Sequence, residues 1–292
     1  MTVIEEISIG QVSQPTRLQD IDLDQLSYIA TKSALKKAIK RGQILLNGQE
    51  ASTASWIETG MKLSFLQLNK PNQPVFKLDL NVVYEDEVLA VVNKPPGYPT
   101  SGHFFRTIEH CLPHNLSRSN QPDALSHFQP VHRLDNPTQG LLLVAKTSRS
   151  KSKLTQAFQD QAIHKAYRAI CHGEFQDNYR FITTPIDGQE AQTEVFKEQV
   201  IRRKNQEVFT LVRLKPKTGR THQLRRHLQL VGHPIVGDSI YASHVGALTE
   251  HKGLFLQAFQ LAFKHPEEQE IKVFRLELPK KFIKFIETNS DH

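Results

Sequence analysis

Cysteine is scarce in this chain of 292 residues, which contains only Cys111 and Cys171. Two cysteines provide neither a disulfide framework nor a cysteine-rich metal site. Long apolar segments are lacking too: no run of about eighteen apolar residues occurs, which predicts that no helix crosses a membrane. The N-terminal MTVIEEISIGQ is acidic and has no apolar core, so it does not read as a signal peptide. A cytoplasmic protein is therefore expected.

Signatures of cofactor and metal chemistry are also missing. No dinucleotide or triphosphate motif occurs, so no cofactor is expected. The carboxylate clusters that a metal-dependent nuclease needs to hold two ions are absent. The histidines at 222, 227 and 233 could suggest zinc, but no cysteine or carboxylate cluster completes a site, and we predict no metal.

The chain does carry an excess of positive charge. It has 37 Lys and Arg against 30 Asp and Glu, a net charge of +7 and a pI near 9.3. This balance suits a polyanionic partner, although many basic proteins bind no nucleic acid. The hydrophobic share of 38% and the length indicate a globular protein with one large and one small domain.

The stretch PVHRLDNPTQGLLLVAK, residues 130–146, is the centre of the chain. The apolar run at 141–145 shows no alternation, which suits a strand buried on both faces, although this pattern alone does not exclude a helix. Residues 136–140 are turn-forming, so Asp135 lies where a turn meets a core strand. An aspartate there is either a cap for backbone amides or a carboxylate held rigidly enough for catalysis.

This stretch resembles the motif HRLD-x-x-T-S-G-L-L-L-x-A-K of the RluA-type pseudouridine synthases, with Gln139 in place of the usual serine. A second stretch, TGRTHQLRRHLQLVGHPIVGDSIYA, resembles the family's G-R-T-H-Q-I-R-x-H-L and G-x-P-I-x-G-D-x-x-Y. KAYRA at 165–169 resembles its K-x-Y-x-A segment. In the family's L-H-A segment, Gln257 replaces the histidine. The matches follow the family's order along the chain.

The resemblance implies that the protein converts uridine in RNA to pseudouridine. Asp135 would be the nucleophile, attacking either the ribose anomeric carbon or carbon 6 of the uracil. Tyr167 would stack on the flipped base and take part in proton transfer at carbon 5. Arg220 is the first choice for the guanidinium that keeps Asp135 ionised, and Arg225 is the second.

Two further residues are expected to bind the substrate. A uridine in folded RNA must leave its stack before it reacts, at a cost of roughly a few kcal/mol. Arg133, next to the nucleophile, would occupy the vacated space. His132 is expected to contact the substrate as well.

The N-terminal part, with its clearest signal at 27–68, predicts a small RNA-binding unit. Lysines at 32, 36 and 40 recur on one face of a helix predicted over residues 32–41, which a strand, an Asn-Gly turn and a second strand follow. This order resembles the small RNA-binding domain of a ribosomal small-subunit protein and of tyrosyl-tRNA synthetases. Lys36 and Lys40 would then contact phosphates, unless the lysine face is an ordinary solvated surface.

The polar, proline-bearing segment at 70–74 predicts the domain boundary. We therefore expect a small α/β RNA-binding domain at 1–70 and a catalytic domain at 71–292. In the latter, helices and strands do not alternate regularly, which argues against a doubly wound parallel sheet. The resemblance implies an α+β fold, with a mixed, largely antiparallel sheet, flanking helices and a central cleft.

The expected partner is RNA, either rRNA or tRNA, and not DNA or a membrane, and the chain is expected to be a monomer. A catalytically idle RNA-binding or ribosome-assembly factor is the alternative function, because the basic helix and the pI fit it equally well. The presence of Asp135, Tyr167 and Arg220 together favours the enzyme, because a mere binder has no evident use for all three.

Overall fold

A computed structural model describes residues 2–12, 14–22, 26, 29, 31–67, 75–203, 206–242 and 253–287. The boundary predicted at 70–74 lies outside these ranges. Within them, no helix combines the length and the apolar character that crossing a membrane requires.

The N-terminal part combines one α-helix with short strands. Its elements are β1 (Thr2–Ser8), β2 (Thr16–Arg17), α1 (Lys32–Lys40), β3 (Ile44–Leu46), β4 (Gln49–Glu50), β5 (Trp56–Ile57) and β6 (Lys62–Gln67). Four of the strands form one sheet in the order β1-β6-β3-β4, and β2 pairs with β5. The hairpin between β3 and β4 turns at Asn47 and Gly48, which both have the positive φ of a type I′ turn.

Helix α1 has the amphipathic character that the sequence predicted. The Thr31 hydroxyl caps it by accepting a hydrogen bond from the amide of Ala34 at 3.1 Å. Leu35 and Ile39 are buried in the core of the N-terminal part, whereas the lysines at 32, 36 and 40 are exposed at its surface.

The remaining strands form a single ten-stranded sheet. They are β7 (Asn81–Glu85), β8 (Leu89–Lys94), β9 (Ala124–Pro130), β10 (Gln139–Thr147), β11 (His164–His172), β12 (Tyr179–Ile182), β13 (Thr193–Arg202), β14 (Val208–Pro216), β15 (Leu256–Lys264) and β16 (Ile271–Arg275). The main order is β12-β13-β14-β11-β15-β10-β8-β7, with β9 added on β10 and β16 on β15.

Helices flank this sheet. They are α2 (Ile108–Asn115), α3 (Ser148–Gln159), α4 (Gln223–Leu230) and α5 (Lys280–Glu287). All strand pairs of the sheet are antiparallel except β10 with β15, which are parallel. The prediction of a mixed, largely antiparallel α+β fold is therefore confirmed.

Strand β10 lies at the centre of the core. Every residue from 141 to 145 is at most 1% exposed. Leu142 and Val144 belong to one hydrophobic cluster, while Leu141 and Leu143 belong to another on the opposite face. The apolar run is thus a strand buried on both faces, as its lack of alternation predicted.

Gly140 permits the parallel contact between β10 and β15. Its φ is +125°, and a Cβ atom at this position would lie 2.2 Å from the carbonyl oxygen of Ala258. No side chain fits in that space, so β15 approaches this closely only because residue 140 is glycine.

Helix α4 begins only at Gln223, three residues after Arg220. His222, directly before it, has the left-handed backbone conformation with φ 55°, which an α-helix cannot continue through. Helix α3 likewise ends at Gln159, shortly before Gln161, whose φ of 56° an α-helix cannot continue through.

Each hydrophobic cluster of the described residues lies on one side of the gap at 68–74. The N-terminal cluster runs from Ile9 to Phe65, and the buried members of the other two all come from Val88 onward. Separate cores are consistent with domains at 1–70 and 71–292, and this division stays a prediction.

Candidate active site

Asp135 lies in a turn between β9 and β10, which its own carbonyl helps to close by accepting a hydrogen bond from the amide of Thr138 at 3.0 Å. We call residues 134–138 the Asp135 turn. Thr100 binds both backbone groups of Leu134, the first residue of this turn. The Thr100 hydroxyl accepts a hydrogen bond from the Leu134 amide at 3.1 Å and donates one to the Leu134 carbonyl at 2.9 Å. The Asp135 side chain remains 24% exposed.

Lys94, at the end of β8, holds the other side of the Asp135 turn. It is fully buried, and its Nζ donates to the carbonyls of Asn136 and Thr138 at 3.1 and 2.7 Å, and to that of Pro95 at 3.1 Å. Burial lowers the pKa of Lys94 to about 8, although the charge of Asp135 partly opposes this shift. A lysine after an apolar strand is usually solvated, so the residue pattern does not predict this role.

The guanidinium nearest to Asp135 is that of Arg225, which comes from α4. The Nη1 atom of Arg225 lies 3.6 Å from the Oδ2 atom of Asp135, and the Arg225 side chain is only 2% exposed. Arg225 also donates two parallel hydrogen bonds to Asp238, at 2.7 and 2.8 Å. This bidentate pair fixes the guanidinium plane, so that one edge is directed at Asp135.

The charge of Arg225 is secured by its two carboxylate neighbours. Burial by itself would lower the pKa of Arg225, but the hydrogen bonds and charge of Asp238, together with the charge of Asp135, raise it above its ordinary value. Asp238 is buried and has a lowered pKa, because the arginine and two backbone amides outweigh the opposing effect of burial. Both partners therefore stay ionised.

Arg220, the first choice for this role, is placed differently. Its Nε donates to the carbonyl of Glu190 at 2.8 Å, and no contact with Asp135 is found among the described residues. The buried Gln223 explains this position, because its side chain accepts hydrogen bonds from the Arg220 amide at 3.0 Å and from the Thr218 hydroxyl at 2.7 Å. The expected pairing of Arg220 with Asp135 is thus corrected in favour of Arg225, while Arg220 lines the same cleft.

His222 is a second nitrogen-bearing group near the carboxylate. Its Nε2 lies 3.9 Å from the Oδ2 atom of Asp135, and its Nδ1 is 3.1 Å from the hydroxyl of Tyr241. The left-handed backbone of His222 directs its ring toward the cleft instead of along α4. On the sequence, zinc binding by this histidine is only an alternative that no cysteine or carboxylate cluster completes, and its strained backbone leaves no signal in the residue pattern.

Tyr167, on β11, lines the same cleft as Asp135. It is 9% exposed and lies opposite Leu214 of β14. Burial, and after it the negative charge of Asp135, raises the pKa of Tyr167 above its ordinary value. The ring therefore faces the cleft as a neutral phenol.

His132 and Arg133 differ in their surroundings. The Nε2 atom of His132 accepts a hydrogen bond from the Leu143 amide at 3.0 Å, and its ring packs on Phe158 with centroids 4.8 Å apart. Burial, followed by the charge of Lys165, lowers the pKa of His132 to about 3, so the imidazole is neutral and holds the chain in place. Arg133 is exposed, and no hydrogen bond or ion pair of its side chain is found in the described part of the chain.

These residues surround a cleft of about 880 Å³, which is large enough for a nucleotide. Six cationic side chains line it: Arg133, Lys165, Lys215, Lys217, Arg220 and Arg225. Such a lining favours a polyanion. The described residues contain no group of three or more His, Cys, Asp or Glu side chains placed to hold a metal ion.

The two departures from the family motifs are neighbours in the fold. Gln139 and Gln257 lie directly opposite each other where β10 pairs with β15. Gln257 donates to the Glu277 carbonyl at 2.9 Å, while its Oε1 and the Nε2 of Gln139 are buried without a hydrogen-bond partner among the described residues. The two changes therefore affect one place, directly after the Asp135 turn.

Comparison with known proteins gives concordant matches. Residues 88–230 match the sequence model of a family described as RNA pseudouridylate synthase. The dual-specificity RNA pseudouridine synthase RluA of Vibrio parahaemolyticus is 35% identical to this chain in an alignment covering 72% of this chain and 86% of that protein. The ribosomal large subunit pseudouridine synthase C of Vibrio cholerae is 30% identical, covering 92% of this chain and 91% of that protein.

A solved structure shares this architecture. Human RNA pseudouridylate synthase domain containing 4 superposes with a TM-score of 0.54 at 25% sequence identity, and the match covers 70% of this chain and 90% of that chain.

Proposed function

The chain belongs to the RluA-type RNA pseudouridine synthases, enzymes that isomerise uridine in RNA, and from this premise we propose which of its residues perform the reaction. Asp135 is the nucleophile. The observation that carries this assignment is the position of its carboxylate, 3.6 Å from the buried Arg225 and open to a cationic cleft that Tyr167 also lines.

The isomerisation breaks the bond between N1 of the uracil and C1′ of the ribose, and joins C5 of the uracil to C1′. The proton lost from C5 is balanced by the proton gained at N1, so no redox partner is required. Asp135 attacks either C1′ or C6 as a carboxylate, and it is released when the new carbon–carbon bond has formed. Arg225 keeps the carboxylate ionised and oriented for this attack.

Tyr167 stacks on the flipped uracil. Because its pKa is raised, its hydroxyl enters the reaction protonated. The phenol can therefore assist the removal of the C5 proton only by passing its own proton on as it accepts the new one. Arg133, exposed beside the nucleophile, occupies the space that the flipped base leaves in the RNA stack.

The substrate is a uridine, or a few uridines, in structured rRNA or tRNA. Large-subunit rRNA is the first candidate, because the name of the Vibrio cholerae relative, which is aligned over nearly the whole chain, assigns it to the large ribosomal subunit. Residues 1–70 form a separate RNA-binding domain, in which Lys36 and Lys40 contact phosphates. Their exposed side chains on α1 support this role.

The test is Asp135→Asn, which is nearly isosteric and removes only the carboxylate. We expect a folded protein that binds RNA but releases no tritium from RNA labelled at C5 of uridine. Release within tenfold of the wild-type rate would eliminate Asp135 as the nucleophile.

Mapping pseudouridine across all RNAs of cells with and without the gene would identify the target position, and an unchanged map would favour an idle RNA-binding protein.

A further inference from the structure

A second cavity lies on the other side of the Asp135 turn. It measures about 560 Å³, and its lining includes Pro96, Tyr98, Pro99, Phe104, Arg106 and Asn136. Asp135 faces the cleft described above, whereas the next residue, Asn136, faces this cavity. Asp135 and Asn136 are consecutive residues, whose Cα atoms are about 3.8 Å apart. The cleft and this cavity are therefore separated only by the backbone of the Asp135 turn.

Phe104 is the most exposed aromatic side chain of the described residues, at 71%. Its neighbour Phe105 is 47% exposed and packs against Phe76 with ring centroids 5.8 Å apart, so Phe104 is the more exposed of the two phenyl rings and the one that lines the cavity. An exposed phenyl ring contributes nothing to the core, and at the rim of a cavity it is available to a ligand.

The segment that carries Phe104 is anchored at both ends. The amides of Ile108 and Glu109 donate to the carbonyls of Pro99 and Thr100, at 2.9 and 3.0 Å. The Thr107 amide donates to the Phe105 carbonyl at 3.0 Å, and its hydroxyl caps α2. Phe104 and Arg106 are therefore presented from a short loop with fixed ends, which reduces the entropy lost when a ligand binds.

The cavity is also connected to the turn that holds the nucleophile. The Gly97 amide donates to the Asn136 carbonyl at 2.9 Å, which is the same carbonyl that accepts from Lys94. The wall of the cavity and the Asp135 turn thus form one hydrogen-bonded unit. A nucleic acid strand with one nucleotide in the cleft and the next in this cavity would contact both sides of this unit.

The lining matches one nucleotide. Phe104 and Tyr98 provide aromatic surface for a base, Arg106 provides a cation for a phosphate, and the Asn136 side chain offers a donor and an acceptor. We propose that this cavity is a subsite for an unpaired nucleotide next to the target uridine in the same RNA strand. Its base stacks on Phe104 and its phosphate binds Arg106. The inference rests on the proposed function of the cleft.

The test of stacking uses total RNA from cells that lack the gene, labelled with tritium at C5 of uridine, and follows tritium release. Phe104→Ala should raise KM by about 5- to 150-fold and leave kcat within a factor of about three, because stacking is worth about 1–3 kcal/mol per base. Phe104→Trp should retain the wild-type KM. Phe181→Ala, at a phenyl ring that is 46% exposed on β12, is the matched control and should change nothing.

The outcomes separate this inference from the proposed function. If the wild-type protein releases no tritium, the proposed function fails. If the wild-type protein is active and Phe104→Ala has the same KM, the function stands and the subsite is refuted. Full rescue by Phe104→Leu would also refute it, because leucine provides apolar surface without a stacking face.

The phosphate contact has its own test. In Arg106→Gln, the slope of log KM against log salt should decrease by about 0.7–0.9, the value expected when one phosphate is no longer neutralised by the protein. Arg180→Gln, at an exposed arginine on β12, is the control and should keep the wild-type slope. An unchanged slope for Arg106→Gln would remove the phosphate from the proposal.

Discussion

Arg220 and Arg225 are five positions apart in one motif, yet their side chains have different partners. Arg225 bridges Asp135 and the buried Asp238, whereas Arg220 donates to a backbone carbonyl. The difference arises from Gln223, which accepts a hydrogen bond from the Arg220 amide and fixes the loop before α4. The position of α4, and not proximity in the motif, determines which guanidinium reaches Asp135.

Arg225→Met should abolish turnover and lower the free energy of unfolding by about 3–5 kcal/mol, because Asp238 would be left buried without its cation. Arg220→Met is the matched variant, and it should keep the unfolding free energy within about 1 kcal/mol, because Arg220 is only half-buried. Urea denaturation and tritium release measure both effects. If Arg225→Met were as stable and active as the wild type, the ion pairs would have no role.

Tyr167 has two separable parts, a ring and a hydroxyl. Tyr167→Phe should bind RNA nearly as well as the wild type, whereas Tyr167→Ala should bind about 5- to 150-fold more weakly, because only alanine removes the stacking face. Tyr167→Phe should also turn over more slowly if the hydroxyl passes on the C5 proton. Kd values from fluorescence anisotropy and single-turnover rates measure these effects separately. Equal Kd values for both variants would show that the ring does not touch the base.

At the level of secondary-structure elements, the Asp135 turn is held from both sides. Lys94 at the end of β8 donates to two carbonyls of the turn, and Thr100 binds Leu134. Charging Lys94 in this place costs about 3 kcal/mol, which corresponds to the decrease in its pKa from 10.5 to about 8. Its three hydrogen bonds to backbone carbonyls stabilise the buried lysine by a similar free energy. The lysine therefore fixes the position of the turn more than it stabilises the fold.

We accordingly expect Lys94→Met to change the unfolding free energy by less than about 2 kcal/mol at pH 7, because the lost hydrogen bonds and the removed cost of burial nearly cancel. Turnover should fall at least about tenfold, because the Asp135 turn loses its anchor. Circular dichroism during urea denaturation and tritium release provide the two measurements. Wild-type turnover in Lys94→Met would show that the turn keeps its position without the lysine.

The same variant tests the pKa of Lys94. The pKa is lower in the folded state than in the unfolded state, so the unfolded chain binds more protons between pH 8 and 10.5. Stability therefore rises with pH in this window. The wild type should gain about 3 kcal/mol relative to Lys94→Met as the pH increases from 8 to 10.5. A constant difference would show that the pKa of Lys94 is not lowered.

At the level of the whole molecule, the described hydrophobic clusters do not extend across residues 68–74. Deletion of residues 1–70 should therefore leave a folded catalytic domain that still modifies a short RNA containing the target uridine. On the full-length RNA, the slope of log affinity against log salt should decrease by about 0.7–0.9 for each phosphate that the shortened protein no longer binds. A slope unchanged by the deletion would make the lysine face of α1 a solvated surface.

Point variants refine this test. Lys36→Ala and Lys40→Ala should each remove part of the slope without changing turnover of bound RNA, because phosphate contacts position the strand and take no part in the chemistry. Lys264→Ala, at an exposed lysine at the end of β15, provides the control. A decrease in slope as large in Lys264→Ala as in the α1 variants would indicate a general charge effect.

Local patterns in the sequence determined much of this protein. The apolar run at 141–145, which has no polar residue in alternation, predicted a strand buried on both faces. The four-residue spacing of the lysines at 32, 36 and 40 predicted an amphipathic helix. Both depend on side-chain periodicity, which the sequence shows directly. Two long motifs were sufficient for the family, and the family supplied the α+β fold.

Only the tertiary structure decided which distant residues meet. It brought Arg225 to Asp135, placed Lys94 beneath the Asp135 turn, and set Gln139 opposite Gln257. These contacts depend on strand order, and in particular on the parallel pairing of β10 with β15 that Gly140 permits. Strand order is set by the packing of the whole core, and no local pattern of residues encodes it.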